Sequence, residues 1–445
     1  GSMATPTNTA TIPVSPVSAA KSVAVLPFAN QSADPENEYL TDGIADEIIS
    51  ALTKIQSLRV TSRTSAFAFK GKNEDISEIG HKLKVSTVLE GSVRRHGNKL
   101  RVTAQLVNVA DGSNLWSERY DREIEDIFAI QDDISQAIVK ALRVILTEGE
   151  KKQIEKARVV DVKAYDYYLR GRQYFHHFRR KSLEYARQMF NRAIEIDPEY
   201  ARAYAGVADS CSLLYTYFDA RESHLRQADS ASQKAIQLEP DLAEAHVARA
   251  LAMSMSKRFD EAKSEFDQAL KLDPKSFEAA YWYGRMHLAI GDFEDSARLL
   301  ERAALIRPDD YQIPGFLAQA LNSLGRGDEA SAQFRKQTRL VDDHLELNPD
   351  DPRACIFGAI AHASLGEKER SLSLGARAIA ADPDDPALLY NAACNYSQLG
   401  SIDEAISALE QAVDRGYGDK LWMEHDSDLV ALRDTPRFRA LVERM

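Results

Sequence analysis

The chain has 445 residues, 28% of them charged, and a formal net charge of −12. That length exceeds what one ordinary core fills and suits two domains, while the acidic balance argues against nucleic-acid phosphate as a ligand of this segment. Three cysteines, Cys211, Cys355 and Cys394, form no CxxC pair and give no disulfide framework; no apolar run reaches the roughly 18 residues of a membrane span.

Gly1-Ser2-Met3 reads as the remnant of a cleaved tag, and the Thr, Pro, Ala, Val and Ser of residues 4 to 21 as a flexible linker. At Ser22 the character changes. Val23-Ala24-Val25-Leu26-Pro27-Phe28 suits a buried strand, and Asn30 to Glu38 a polar loop. Ile44, Ile48, Ile49, Leu52 and Ile55 then recur at helical spacing, followed by a strand at Leu58 to Thr61 and a second helix carrying Ile76, Ile79 and Leu83. This β-α-β-α order predicts a mixed sheet with helices on one face.

A meander follows. The strand from Thr87 to Arg95 turns at Gly97-Asn98, and the return strand alternates Leu100, Val102, Ala104 and Leu106 against Lys99, Arg101, Thr103 and Gln105. At Leu106-Val107 the alternation slips by one, which predicts a bulge or a change of face. Asp111-Gly112 makes the next turn, and Leu115 to Tyr120 the next strand, with Trp116 expected as its anchor. From Glu125 the period returns to 3.6 through Ile127, Phe128, Ile130, Ile134, Ile138, Leu142 and Ile145, and a charged tail from Glu148 to Arg158 leads to a domain boundary near residue 158.

Beyond it one pattern repeats: a small residue, a bulky one four later, Ala three later, and Pro five later. Ala262, Phe266, Ala269, Pro274 and Ser296, Leu300, Ala303, Pro308 state it most clearly, and Pro240, Pro274 and Pro308 stand 34 residues apart. The same register fits Ala186, Phe190, Ala193, Pro198 and Ala228, Ser232, Ala235, Pro240 upstream, and Ser371, Gly375, Ala378, Pro383 and Ala405, Leu409, Ala412 downstream. One unit, with Ala330 and Phe334, reaches its proline seven residues late at Pro349. Seven units result. The four-three spacing puts small and bulky residues on one helical face, where Ala admits a neighbouring helix and proline ends the helix. After Ala412 the pattern breaks at Arg415-Gly416-Tyr417-Gly418, and Leu421, Trp422, Leu429, Leu432, Phe438 and Leu441 mark closing helices.

Residues 164 to 414 thus resemble a tetratricopeptide array, with first-helix positions held by Tyr204, Ala208 and Cys211, by Tyr283, Gly284 and His287, and by Leu389, Ala393 and Tyr396. Arg249 stands where the family has an apolar residue, and Pro314 opens a first helix. Residues 22 to 146 resemble the TolB-like amino-terminal domain of bacterial signalling proteins, through the Val23–Phe28 run, Tyr39-Leu40-Thr41-Asp42-Gly43-Ile44, Val88-Leu89-Glu90-Gly91-Ser92-Val93-Arg94 and Leu115-Trp116. The expected organisation is a tag remnant and linker over 1–21, an α/β domain over 22–158, a superhelical solenoid over 159–414 and caps over 415–445. The resemblance implies a position downstream of an output domain: a nucleotide cyclase, a serine/threonine kinase or a winged-helix regulator.

No phosphate loop, HExxH, GxSxG or GxGxxG is present, so no catalytic, cofactor or metal residue is assigned. His176-His177 point to different helix faces and make a poor metal pair; Asp42-Gly43 offers either a ligand contact or a helix cap. The three cysteines are expected to be buried and inert. In tetratricopeptide arrays the first helices line a concave groove, and the groove positions here are Tyr281, Arg285, Gln319, Asn322, Tyr390 and Ser397. Their mix of aromatic anchors and hydrogen-bonding groups suits an extended peptide or a partner's helix. The expected function is a non-enzymatic interaction and sensory module. The alternatives are a small-molecule receptor, with its pocket near Asp42, Arg94 and Trp116 or between the domains, and a hydrolase lacking a recognisable motif. The exposed strands of the meander and the long third helix point to a homodimer. A bacterial source is expected, with the cytoplasm and the outer side of a membrane both left open.

Overall fold

The structure is a computed structural model, and the residues it describes are 21–144, 146 and 161–445. The linker over residues 4–20, Ile145, the charged tail and the domain boundary lie outside the described residues. Ser22–Val25 (β1) is an inner strand of a mixed sheet in the order β3-β1-β4-β5-β6; it runs parallel to Arg59–Val60 (β3) and to Thr87–His96 (β4). The two-residue Ala29–Asn30 (β2) also pairs with β4. Lys99–Asn108 (β5) and Asn114–Glu123 (β6) complete an antiparallel meander.

Both faces of this sheet are covered, which corrects the expectation of helices on one face. Val23 and Val25 pack with Ile44, Ile48 and Leu52 of α1 (Glu38–Thr53) and with Ile130, Ile134 and Ile138 of α4 (Ile127–Ala141). Ala24, Leu26 and Val88 face the other way, onto Phe69, Ile79 and Leu83 around α3 (Ile76–Lys82). A short helix, α2 (Arg63–Phe67), went unanticipated because it holds too few residues to display a period. The uninterrupted apolar run of β1 is the signature of a strand buried on both sides.

The slip at Leu106-Val107 is real: the β5–β6 register shifts there, and Val107 and Val109 are buried beside Leu106. Trp116 is not the anchor of β6. Tyr120 is, 6% exposed and paired opposite Val102, because β6 runs on to Glu123 and its centre, not its start, lies over α4.

Seven helix pairs follow, here called units 1 to 7 with helices A and B: Val162–His176 and Arg180–Ile196; Ala201–Tyr217 and Glu222–Leu238; Ala243–Met255 and Phe259–Leu272; Phe277–Ala289 and Phe293–Ile306; Ile313–Ser323 and Gly327–Leu347; Pro352–Ser364 and Lys368–Ala381; Pro386–Gln398 and Ile402–Asp414. The repeating small and bulky positions, from Ala186 and Phe190 to Ala405 and Leu409, are all buried. Helix 5B runs 21 residues where 3B and 4B run 14, so the late Pro349 follows two extra helical turns. Arg249 is buried and its charge is paired; its Nη1 donates to the Asp229 carboxylate at 2.7 Å and to the Asp229 carbonyl at 2.9 Å. Pro314 sits in the first turn of 5A, where its missing N–H costs nothing.

Between the A and B helices of units 3 to 7 the chain passes through a left-handed residue. Units 4 to 7 use Gly291, Gly325, Gly366 and Gly400, whereas unit 3 places Lys257 there with φ 59°. Lys257→Gly is therefore expected to raise stability by about 1 kcal/mol, the cost of that conformation for a residue with a Cβ; the check is an upward shift in the thermal unfolding of the chain.

The two domains are packed on one another. The core of the α/β domain continues into units 1 and 2 through Tyr165, Tyr168 and Leu169 of helix 1A. Gly43 of α1 stands against Leu169, and a Cβ there would lie 2.7 Å from the Leu169 methyls, so the glycine serves helix packing. Asp42 lies inside α1 and pairs with Lys70 at 2.7 Å, while Thr41 bonds back to the Glu38 carbonyl; neither caps the helix. Asp46 of α1 holds a partly buried cluster, 3.0 Å from Arg172, 3.5 Å from Arg63 and 3.3 Å from His176. Glu47 pairs with Arg202 at 3.0 Å. Lys275, in the turn before helix 4A, donates to the carbonyls of Ile55 at 2.6 Å and Gln56 at 3.0 Å. Ser62 and Ser65 bond Asp309, in the turn before 5A.

Candidate interaction site: a cavity inside the closed solenoid

The chain end returns to the start of the solenoid. The Gly418 N–H donates to the Thr216 carbonyl at 3.2 Å, at the end of helix 2A. Gly416 has φ 107°, and a Cβ on it would lie 2.5 Å from the Phe218 carbonyl oxygen, so only glycine lets the two backbones approach this closely. Units 2 to 7 and the closing segment thereby form a ring. Within it lies a cavity of about 930 Å³, bordered by Ser62 and Ser65 of the α/β domain, by His177 and Phe178 at the end of helix 1A, and by the A helices of units 4 to 7.

Arg285 of helix 4A is the keystone of the ring. Its guanidinium lies 4.6 Å from the Phe316 ring centre, 4.8 Å from Trp422, 5.1 Å from Trp282 and 5.8 Å from both Tyr281 and Tyr217. It donates to the Tyr217 hydroxyl, and its buried Nε has no partner among the described residues. Burial opposes its charge, but Tyr217 and Tyr281 hold it firmly protonated. One cation thus ties unit 2, unit 5 and the closing segment to unit 4 through ring faces.

The closing segment fills one end of the groove. Trp422 sits edge-on to Phe316 at 5.8 Å, and Tyr417 stacks on Tyr390 at 4.3 Å. Asp426 accepts from Tyr390 at 2.7 Å, Trp422 Nε1 at 3.0 Å and the Asp428 N–H at 2.9 Å; Asp428 accepts from Gln319 at 2.8 Å and Gln398 at 2.9 Å. Every donor is neutral. Burial, and then the neighbouring Asp426 charge, push the Asp428 carboxyl up to about 8, and burial also raises Asp426.

Docking of the closing segment inherits a pH dependence from that shift. A carboxyl that holds its proton more tightly folded than unfolded lowers stability as pH rises from the unfolded value near 4 to the folded value near 8. The closing segment is therefore expected to dock more firmly at pH 6 than at pH 8.5. Asp428→Asn, which cannot ionise, should flatten that slope in thermal melts taken across this range.

Of the six anticipated groove residues, Arg285, Gln319 and Tyr390 line the cavity and all three contact the closing segment. Tyr281 and Ser397 are 7% and 5% exposed and lie in the packing outside the lining. Asn322 is exposed and also outside it. Asp42, Arg94 and Trp116 do not line the cavity; Arg94 instead donates to the Gln31 carbonyl at 3.2 Å. His176 and His177 border it, and burial, with the Arg63 cation, lowers His176 to about 4, so it meets Asp46 as a neutral imidazole. The cysteines are buried, and burial pushes Cys211 up to about 11.

Sequence reasoning missed Tyr217, Asp426 and Asp428, which hold the ring together, and read Trp422 only as a mark of the closing helices. The aromatic Trp422 beyond the end of the repeat was their one legible trace. Among the described residues, two groups bring possible metal-ligand atoms together, Cys394 with Asp426 and Asp428, and His287 with Asp292 and Asp295. In the first the carboxylates are engaged by the donors above; in the second, His287 pairs with Asp292 at 2.9 Å and Asp295 with Arg298 at 2.7 Å.

The rim of the cavity carries six aspartates among three arginines, Arg179, Arg307 and Arg353, and so is acidic on balance. Asp309, Asp310, Asp350, Asp351, Asp382 and Asp385 come from the successive turns that precede helices 5A, 6A and 7A. Asp351 and Asp385 cap helices 6A and 7A, and burial raises Asp310 and Asp385.

Comparison with known proteins agrees with this architecture. Tetratricopeptide repeat family models match residues 253–313, 287–340 and 386–415, and the model of the second domain of HilA/YgeH-like transcriptional regulators matches residues 19–137. A protein of Rhizobium meliloti (strain 1021) named "Putative adenylate cyclase 3" is 43% identical over 260 residues, 58% of this chain and 44% of that protein. The DnaJ homolog subfamily C member 7 of Homo sapiens is 24% identical over 216 residues, 47% of this chain and 42% of that protein. The chain thus spans less than half the length of these curated relatives. The solved structure of PilW, a type IV pilus biogenesis factor, has a TM-score of 0.38 and 18% identity, covering 51% of this chain and 96% of that one. No helix among the described residues is long and apolar enough to cross a membrane. The helical part of this chain is a tetratricopeptide-repeat array, preceded by an α/β domain that matches the second domain of HilA/YgeH-like regulators.

Proposed function

We propose that this chain is a non-catalytic interaction and sensory module of a larger bacterial signalling protein, and that it receives an extended peptide or a partner's helix inside the solenoid. The likeness to a protein named as an adenylate cyclase supports the signalling context, and a TolB-like origin of the α/β domain belongs to the same reading. The observation that carries it is the cavity, open on an acidic rim of six aspartates and floored by aromatic rings around Arg285. Such a lining suits a segment that brings lysine or arginine to the rim. The closing segment, whose Trp422 and Asp426 engage Arg285 and Tyr390, already occupies the groove at one end as such a ligand would. Self-association through the exposed sheet is part of the proposal.

The test uses rim residues that hold no helix in place. Asp350→Asn with Asp382→Asn removes two charges from the lining and leaves its shape. A partner captured from the source cells by the unaltered chain, and held about ten-fold more weakly by the double variant at low salt, supports the reading. Equal capture by both chains contradicts it.

A small-molecule ligand is the second reading, favoured by the place where Ser62 and Ser65 of one domain meet Asp309 of the other at the cavity wall. Thermal stabilisation by a metabolite, lost in Ser62→Ala, would support it over a peptide.

A further inference from the structure

Strand β6 ends the sheet. It hydrogen-bonds to β5 on one side, and among the described residues nothing pairs with its other side over ten residues, Asn114 to Glu123. Eight of these ten side chains are exposed. A long free edge of this kind is a template for another strand, and proteins usually blunt it with charge, proline or a bulge. Here charge is present in a specific order: Glu118, Arg119, Tyr120, Asp121, Arg122. The order is antisymmetric about Tyr120, each acid on one side mirrored by a base on the other.

We propose that β6 is a dimerisation edge, on which a second copy of this chain pairs antiparallel about a two-fold axis through Tyr120; this rests on the self-association proposed above and gives it a surface and a register. In that register Glu118 faces Arg122 of the second copy, and Arg119 faces Asp121, so four ion pairs flank one tyrosine pair. A two-fold axis perpendicular to the sheet keeps the α1 and α4 layers of both copies on one side. Directly opposed residues must then share a face, and the register can move only in steps that preserve this. The adjacent permitted registers set Arg119 against Arg119, or Asp121 against Asp121. Only the centring on Tyr120 brings unlike charges together throughout.

The groups involved are available for it. Arg122 forms no ion pair among the described residues, and Glu118 has only the Tyr120 hydroxyl, at 3.3 Å. On the outer face Arg101 and Arg119 already hold Asp121 at 2.5 and 3.1 Å. Arg119 of the second copy would extend that row across the interface into a continuous ladder of alternating charge. No residue of β6 lines the cavity, and the proposal stands whether or not a peptide binds there.

Sedimentation velocity over a range of concentrations, with the full chain, tests the register and not only the association. Glu118→Lys and Arg122→Glu each set like charges opposite one another twice, and each alone should weaken dimerisation by about ten-fold or more. Mixed together, the two variants restore unlike pairs at both places, and a heterodimer should form with an affinity near that of the unaltered chain. Unchanged far-ultraviolet circular dichroism and melting temperature separate lost association from lost fold. A chain that stays monomeric at all concentrations overturns both the self-association and its register. A dimer indifferent to both substitutions, or a mixture that fails to recover, overturns the register alone.

Discussion

Trp422→Ala is expected to undo the ring. The indole meets Phe316 edge-on, lies against the Arg285 guanidinium and donates Nε1–H to Asp426. Truncating a buried aromatic side chain of this size costs about 3–5 kcal/mol, and here it also strips a buried carboxylate of a donor and a buried cation of a ring. The loss should be local. Units 1 to 3 keep their packing, while the segment from Gly416 to Met445 becomes sensitive to protease and amide exchange rises in helix 7A around Tyr390. Trp422→Phe separates the two contributions: it keeps a ring for Arg285 and Phe316 but loses the N–H, and should cost about 1–2 kcal/mol. Equal protection of the segment in all three chains would mean that the tryptophan does not hold it.

The second large effect is expected at the other junction. Asp46 faces Arg63, Arg172 and His176 between the domains, and its carboxyl is held well below the usual carboxylate range, against its burial, by Arg172 and then His176 and Arg63. Asp46→Ala leaves two partly exposed guanidinium groups without their anion, a loss of about 1–3 kcal/mol once their contact with water is allowed for. The α/β domain and the solenoid should then unfold in separate transitions, which calorimetry resolves. Arg172→Met added to Asp46→Ala removes one orphaned charge and should recover part of the loss. A single unchanged transition in the Asp46→Ala chain would show that the shared apolar core through Tyr165 and Leu169 suffices.

These two junctions are also what the amino-acid sequence did not disclose. A period repeats its signal, and so the seven units could be read from Ala186 to Ala412, including the late Pro349 that the long helix 5B explains. Alternation works in the same way, and the slip at Leu106-Val107 marked a register shift that the sheet contains. Contacts that occur once leave no such trace. Gly418 meets Thr216 from the far end of the array, and nothing local to either residue announces the other. Asp46, Arg63 and Arg172 carry no local pattern that sets them apart, because the face they occupy is covered only when the domains pack. Trp116 was the expected anchor of its strand, but it is only partly buried, and Tyr120, 6% exposed, fills that role.

The groove residues show the same division. Helical position brings Arg285, Gln319 and Tyr390 to the cavity wall. It could not show that the chain's own end lies against them. The concave surface is thereby split into a filled part, under Trp422 and Asp426, and an open part under the aspartate rim, where the proposed partner would sit.

The closure of the solenoid on its second unit is the central feature, and a distance measurement across it is the most direct test. Spin labels at Glu222, at the start of helix 2B, and at Lys420, at the start of the closing helix, flank the contact between Gly418 and Thr216. Pulsed dipolar spectroscopy should give one short, narrow distance distribution, which broadens and lengthens when Trp422→Ala is added. A broad, long distribution in the otherwise unaltered chain would contradict the closed ring and leave the groove open along its whole length.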